Sequence, residues 1–218
     1  MSLDTYTNLK TAIADYLNRD DLTSYIPDFI TLAEQMIYFG GMVSGQEIEA
    51  VRVKEMETRL TASLSTSSRY LALPDGTLSA KRLYITSTTP IHLINYVPEE
   101  QINDFYSSTA GAPNYFTMIG SELMFEKQPD SAYTVEISIY KKVTALSGSN
   151  ASNDILTYYP ALYLYGSLLA AEPFLMNDAR MAFWLTCYQS AAFGANKTTK
   201  RGKVSLGSLA ARGNAYPA

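Results

Sequence analysis

Two periodicities divide the chain. Leu9, Ile13, Tyr16 and Leu17 recur at three- to four-residue spacing, which predicts an amphipathic helix from about Asp4 to Asn18. The polar run Arg19-Asp20-Asp21 breaks that pattern. A second helix starts near Pro27, a residue whose fixed φ suits a first helical turn. Its apolar face reads Phe29, Ile30, Leu32, Ala33, Met36 and Ile37, and Gly40-Gly41 ends it. Residues 47–56 fit either a short helix or a linker. From about Thr58 to Val143 the period changes. The runs RLTASL, RYLAL, RLYIT, IHLINYV, NYFTMI, ELMFEK and YTVEISIY are β-branched and aromatic, as strands are. Turn clusters separate them at Pro74-Asp75-Gly76, Thr88-Thr89-Pro90, Gly120-Ser121 and Pro129-Asp130-Ser131. Gly120-Ser121, between two such runs, signals a tight hairpin. Pro98-Glu99-Glu100 opens a helical turn or two, with Ile102 and Phe105-Tyr106 turned inward. After the polar linker SGSNASN (Ser147 to Asn153), helical spacing returns. One helix runs from Tyr159 to Phe174, with Leu162, Tyr165, Leu169 and Ala170 on one side and Pro173 kinking or ending it. Asn177-Asp178 then caps a final helix through Met181, Trp184, Leu185, Tyr188 and Ala192.

These elements predict an α+β fold. A helical bundle is built from the N- and C-terminal helices, with an inserted antiparallel β subdomain and an extended C-terminal arm. The divisions fall at 1–46 (N-terminal helices), 47–146 (β subdomain with one short helix), 147–197 (C-terminal helical hairpin) and 198–218 (arm). Gly166 and Ala170, four residues apart, set small side chains on one stripe and mark an expected helix crossing.

Composition adds an asymmetry. Seventeen Lys and Arg against twenty-one Asp and Glu give a formal charge of −4. Five of the cations (Lys197, Lys200, Arg201, Lys203 and Arg212) lie beyond residue 196 in a stretch with no acid. The remaining chain therefore holds twelve basic against twenty-one acidic residues, a balance of −9. An acidic body argues against a dedicated nucleic-acid binder, which presents a basic face. A cationic tail with little to pack is a segment ordered by a neighbour or left in solvent. The 17 tyrosines supply rigid aromatic faces with polar tips, suited to strands and to half-wet contact surfaces. No run approaches the ~18 apolar residues of a membrane span, and MSLDTYTNLK lacks the layout of a secretion signal. With the single Cys187 no intramolecular disulfide is possible, and synthesis in a reducing cytoplasm is the expectation.

Catalytic signals are sparse. His92, the single histidine, stands in a strand-like run, and Cys187 lies among apolar residues of the last helix. There is no phosphate-cradling glycine motif. Glu99-Glu100 and the pair Glu122 and Glu126 offer carboxylates of the kind glycoside hydrolysis uses. Glu99-Glu100 equally suit a helix N-terminus, and Glu122 and Glu126 suit solvated strand positions. The expectation is a protein without catalysis, cofactor or metal. Arg19, Asp20 and Asp21 read either as a local turn network or as an intersubunit bridge.

Four segments carry a resemblance: LNRDDLTSYIPDFITLAEQ (Leu17 to Gln35), VRVKEME (Val51 to Glu57), RYLALPDG (Arg69 to Gly76) and YYPALYLYGSLLAAEPFLMNDARMAFW (Tyr158 to Trp184). In this order the chain resembles the head-to-tail adaptor proteins of tailed bacteriophages. The resemblance implies a structural virion protein of the neck: a closed ring of about twelve copies between the portal of the head and the tail nozzle. DNA would pass through the ring without specific binding, and an acidic channel wall would repel its phosphates. The resemblance also implies a C-terminal arm reaching the portal or a neighbouring copy, here Thr198 to Ala218, with Lys197, Lys200, Arg201, Lys203, Arg212 and Tyr216 as contacts. Two other classes fit less of the chain: a carbohydrate-binding tail module gripping sugars with tyrosine faces, and a tail-associated glycan hydrolase.

Overall fold

In the computed structural model, residues 2–19, 21–176 and 178–203 are described. Helix α1 (Tyr6–Leu17) starts at Thr5, whose hydroxyl accepts the Asn8 N–H at 3.2 Å. It ends at Asn18, in the left-handed region at φ 53°, where the Asn18 N–H turns back to the carbonyls of Ala14 and Asp15. Helix α2 (Ile26–Phe39) carries Pro27 in its first turn. Its end is fixed by Gly40, at φ +66°. A Cβ there would lie 2.2 Å from the Ile48 carbonyl oxygen, so only glycine fits. The chain then makes a small hairpin, β1 (Gly41–Val43) and β2 (Gln46–Ile48), closed by Ser44 and Gly45 with φ of 51° and 76°. Residues 47–56 therefore form a strand end, an extended run and one 3-10 turn (Lys54–Met56), not an α-helix.

The sheet region contains β3 (Glu57–Ser63), β4 (Tyr70–Ala72), β5 (Thr77–Ile85), β6 (His92–Tyr96), β7 (Tyr115–Ile119), β8 (Glu122–Phe125) and β9 (Thr134–Lys141), in the order β3-β9-β5-β6-β7-β8-β4. It is mixed, which corrects the all-antiparallel expectation: β6 and β7 pair in parallel, Asn95 with Tyr115 and Tyr96 with Phe116. The cause is the connection between them. Helix α3 (Glu99–Ile102) and a 3-10 turn (Asn103–Phe105) carry the chain back to its starting end, and parallel pairing requires such a crossover. Gly120, at φ 59°, turns the β7–β8 hairpin as the sequence indicated. Alternate residues of the central strands, among them Leu83, Ile85, Ile94, Phe116, Val135, Ile137 and Ile139, bury together as the core of the curled sheet.

A second, larger core is helical. Helix α4 (Asp154–Tyr158) is capped by Asn153 and leads into α5 (Pro160–Leu175), which is apolar on nearly every side. A helix of that kind belongs at a centre. Helices α1, α2 and α4 and the last helix, α6 (Asp178–Lys203), pack around it. At Gly166 an added Cβ would lie 3.0 Å from the Cβ of Ala33 on α2 and 3.2 Å from the Tyr188 ring on α6. Pro173 sits within α5, which continues through it to Leu175. Helix α6 reaches Lys203, so Thr198 to Lys203, expected as the start of an extended arm, are helical. The cap expected at Asn177 lies outside the described residues. Val51, Val53 and Met56 of the linker and Leu146 after β9 join the helical core, so both connections to the sheet are packed.

Candidate interaction surfaces

The extended segment before the sheet is laced along α6. Ser44 Oγ lies 2.9 Å from Met181 Sδ. Gln189 Nε2 donates to Gln46 Oε1 and to the Glu47 carbonyl, each at 3.3 Å. The Arg52 N–H donates to Asn196 Oδ1 at 2.8 Å, and Asn196 Nδ2 reaches the Ala50 carbonyl at 3.4 Å. The Lys54 N–H donates to Thr199 Oγ1 at 3.3 Å. Asn196 and Thr199 are buried, so the root of the C-terminal segment is fastened to the body. Sequence reading missed both. Their signal is weak: two polar residues at i, i+3 on the same side as Tyr188, Ala192 and Ala195. The Arg52 guanidinium donates to the carbonyls of Tyr38 at 2.9 Å and Val51 at 2.8 Å, and burial pushes its pKa down.

Three buried carboxylates hold elements together. Glu34 on α2 accepts the Leu146 N–H at 2.9 Å and the Tyr163 hydroxyl at 3.0 Å. Asn153 Nδ2 donates to the same hydroxyl at 2.8 Å while its Oδ1 caps α4. Burial raises the Glu34 carboxyl above its ordinary range, against the lowering effect of those two hydrogen bonds. Burial likewise pushes the Tyr38 and Tyr163 phenols up, aided by the charge of Glu34. Glu172 accepts Trp184 Nε1 at 2.7 Å and lies 3.5 Å from Arg180 Nε. Arg180 also donates to the Tyr16 carbonyl at 3.0 Å and stacks on Trp184, which ties α1, α5 and α6 together. Glu126 is the third. It was expected on a solvated strand position and is instead buried, accepting the N–H groups of Asn114 at 2.8 Å and Tyr115 at 3.1 Å. That bracket holds the entry to β7. Glu122, four residues earlier and exposed, is separated from it by about 13 Å of strand, so the two form no pair.

The other expected site residues are spread over the molecule. Arg19 and Asp21 form an exposed two-pronged pair at 2.6 Å on each prong, and Asp20 lies outside the described residues. Glu99 and Glu100 occupy the exposed first turn of α3. His92 is half-buried on β6, and Cys187 half-buried on α6. Ala170 lines a groove next to the Gly166 crossing. Lys197 lies 5.2 Å from the Phe193 ring centroid on the outer face of α6. Lys200, Arg201 and Lys203 occupy its last turn, and Arg212 and Tyr216 lie outside the described residues. Among the described residues no group of three His, Cys, Asp or Glu could hold a metal ion, and no helix is long and apolar enough to cross a membrane.

Exposed apolar side chains lie on the α2 groove, on α6 and on the sheet. Leu32, assigned from its spacing to the buried face of α2, is 44% exposed; with Phe39 at 61% it forms the rim of a groove of about 440 Å³ floored by Leu169, Ala170 and Pro173. On α6, Phe183 and Phe193 stand out at 59% and 64% exposure. On the sheet, Arg82, Tyr84, Leu93, Asn95 and Tyr96 line a shallow concavity of about 450 Å³.

A family model described as SU10 adaptor protein matches residues 4–210. No curated protein matches the chain. The match spans nearly the whole sequence, and the chain belongs to the SU10 adaptor protein family.

Proposed function

Given that membership, we propose that this protein is a structural adaptor of a tailed bacteriophage, joining portal to tail in the virion neck. It forms a closed ring of about twelve copies around a channel for DNA and assembles in the host cytoplasm. The observation that carries the reading is the family match over residues 4–210. Physical features support it. The three buried carboxylates tie backbone, helices and strands to one another. A body of charge −9 suits a passage that must not retain phosphate. Helix α6 ends in a cationic turn whose root is fastened by Asn196 and Thr199, so force on the terminal segment is transmitted to the core. The arm's contacts with the portal are assigned to Lys200, Arg201, Lys203, Arg212 and Tyr216.

The test is docking onto purified portal rings, followed by sedimentation, with a chain truncated after Lys203. Truncation at Lys197 would remove Thr199 and its bond to Lys54, mixing lost docking with lost stability. The full chain is expected to co-sediment and the truncated chain to stay behind while keeping its melting temperature. Equal docking of both would refute a role for Arg212 and Tyr216, the assigned contacts beyond Lys203, and absence of docking by the full chain would refute the adaptor reading. A second reading, sugar binding, has one observation in its favour: Tyr84, Tyr96 and Asn95 line the sheet concavity.

A further inference from the structure

Helices α2 and α6 each carry an exposed stripe, and the two stripes match. On α2 the exposed positions Asp28, Leu32, Gln35 and Phe39 follow one another at intervals of four, three and four residues. On α6, read backwards, the exposed positions Lys197, Phe193, Ser190 and Thr186 have the same intervals, and Phe183 follows three further on. Such spacing keeps each set on one face of its helix. Laid antiparallel, the stripes place Lys197 against Asp28, Phe193 against Leu32, Ser190 against Gln35 and the small Thr186 against the large Phe39. Phe183 then faces Met42, which is 68% exposed just beyond Gly40. Cation meets anion at one position, apolar meets apolar at two and polar meets polar at one, while at Phe39 a small side chain faces a large one. The groove along the α2 stripe, from Leu32 to Val43, offers the two phenylalanine rings room to enter. Antiparallel placement also sets the N-terminal end of α2 beside the C-terminal end of α6, where the helix dipoles attract.

The stripes cannot meet within one molecule. Helix α2 turns Phe29, Ile30, Ala33 and Ile37 toward the core, and α6 turns Trp184, Leu185, Tyr188 and Ala192 toward it, so the exposed faces point outward. We propose that the occupant of the α2 stripe and groove is the α6 stripe of a second copy of this chain. A contact between two different patches of identical molecules is head-to-tail, and such contacts form rings when the rotation from copy to copy closes. This rests on the adaptor reading and names the surfaces by which neighbouring copies would touch. The neighbouring exposed positions on the two helices (Thr31, Ala182, Gly194 and Thr198) are uncharged. Lys142, whose Nζ lies 4.6 Å from the Phe39 ring centroid, borders the far end, away from Lys197. A single helix pair is smaller than a lasting interface, which needs ~800 Å² per partner. Dilute protein is therefore expected as a monomer, with the contact stabilised by ring closure.

The test is cross-linking of concentrated protein, with Cys187→Ala as background. A chain carrying both Gln35→Cys and Ser190→Cys is treated with a short bis-maleimide. Head-to-tail contact predicts a ladder of dimer, trimer and higher species. Either cysteine alone should give monomer, because its partner position then holds no thiol. Charge exchange supplies the second arm: Lys197→Asp or Asp28→Lys alone should abolish the ladder, and the two together should restore it. A dimer from Ser190→Cys alone would mean symmetric α6 pairing and overturn the proposal. Rings visible by electron microscopy without a ladder would place the lateral contact elsewhere and leave the adaptor reading standing. Neither rings nor ladder, even on portal, would overturn both.

Discussion

At the crossing of α2, α5 and α6 the space is set by one missing methyl group. Gly166→Ala adds a Cβ 3.0 Å from the Ala33 Cβ and 3.2 Å from the Tyr188 ring, where carbon atoms are comfortable at ~3.5–4.0 Å. Ala33 and Tyr188 are fully buried, so neither can withdraw into solvent. Two effects oppose each other. Alanine favours the helix over glycine by about 1 kcal/mol. Overpacking a tight core costs about 1–3 kcal/mol. The net expectation is a loss of about 1 kcal/mol, and a fall in Tm of ~2–4 °C for a chain of this size. Gly166→Leu, with three further carbons and nowhere to place them, should cost several times more and reduce solubility. The discriminating variant is Gly166→Ala with Ala33→Gly, which moves the methyl group from α2 to α5 across the same gap. Urea midpoints at constant m-value would measure all three. The double variant should be more stable than the sum of the single losses by about 1–2 kcal/mol, the coupling expected of side chains in contact. A stabilised Gly166→Ala, or strict additivity in the double variant, would show that the helices are not held at this distance by Gly166.

Other outcomes follow from the buried polar groups. Glu34→Gln keeps an acceptor for the Leu146 N–H and the Tyr163 hydroxyl and removes a carboxyl whose folded pKa is raised. A raised acid pKa weakens the fold as pH climbs above the unfolded value of 4.5, so the variant should match the parent near pH 4 and exceed it in Tm at pH 7. An unchanging difference across that range would refute the assignment. Asn196→Ala strands the buried end of the Arg52 N–H bond and should cost about 1–3 kcal/mol. Hydrogen exchange should accelerate at the Arg52 amide, and protection equal to the parent would mean the lacing contributes nothing. Glu126→Ala leaves the N–H groups of Asn114 and Tyr115 without their acceptor; a similar loss is expected, with exchange rising at the start of β7. Unaltered protection there would count against the bracket.

The sequence by itself determined the elements, because each rests on local chemistry. Apolar spacing of three to four placed α1, α2 and α5 within a few residues of their observed ends and found the start of α6, and Gly40 stopped α2 because no side chain fits there. The strand runs and the Gly120 turn were legible for the same reason, and the family resemblance read from four segments agrees with the match over 4–210. Other features were decided only by partners distant in sequence. The parallel β6–β7 pair depends on where an 18-residue connection returns the chain, which alternation cannot show. The exposure of Leu32 and the burial of Glu126 were misread because periodicity names a face without saying what covers it. The helical continuation from Thr198 to Lys203 depends on residues 144 to 146 positions away, through the bonds of Asn196 and Thr199. Local pattern fixes what a segment can become; tertiary contact fixes which of its faces meets water.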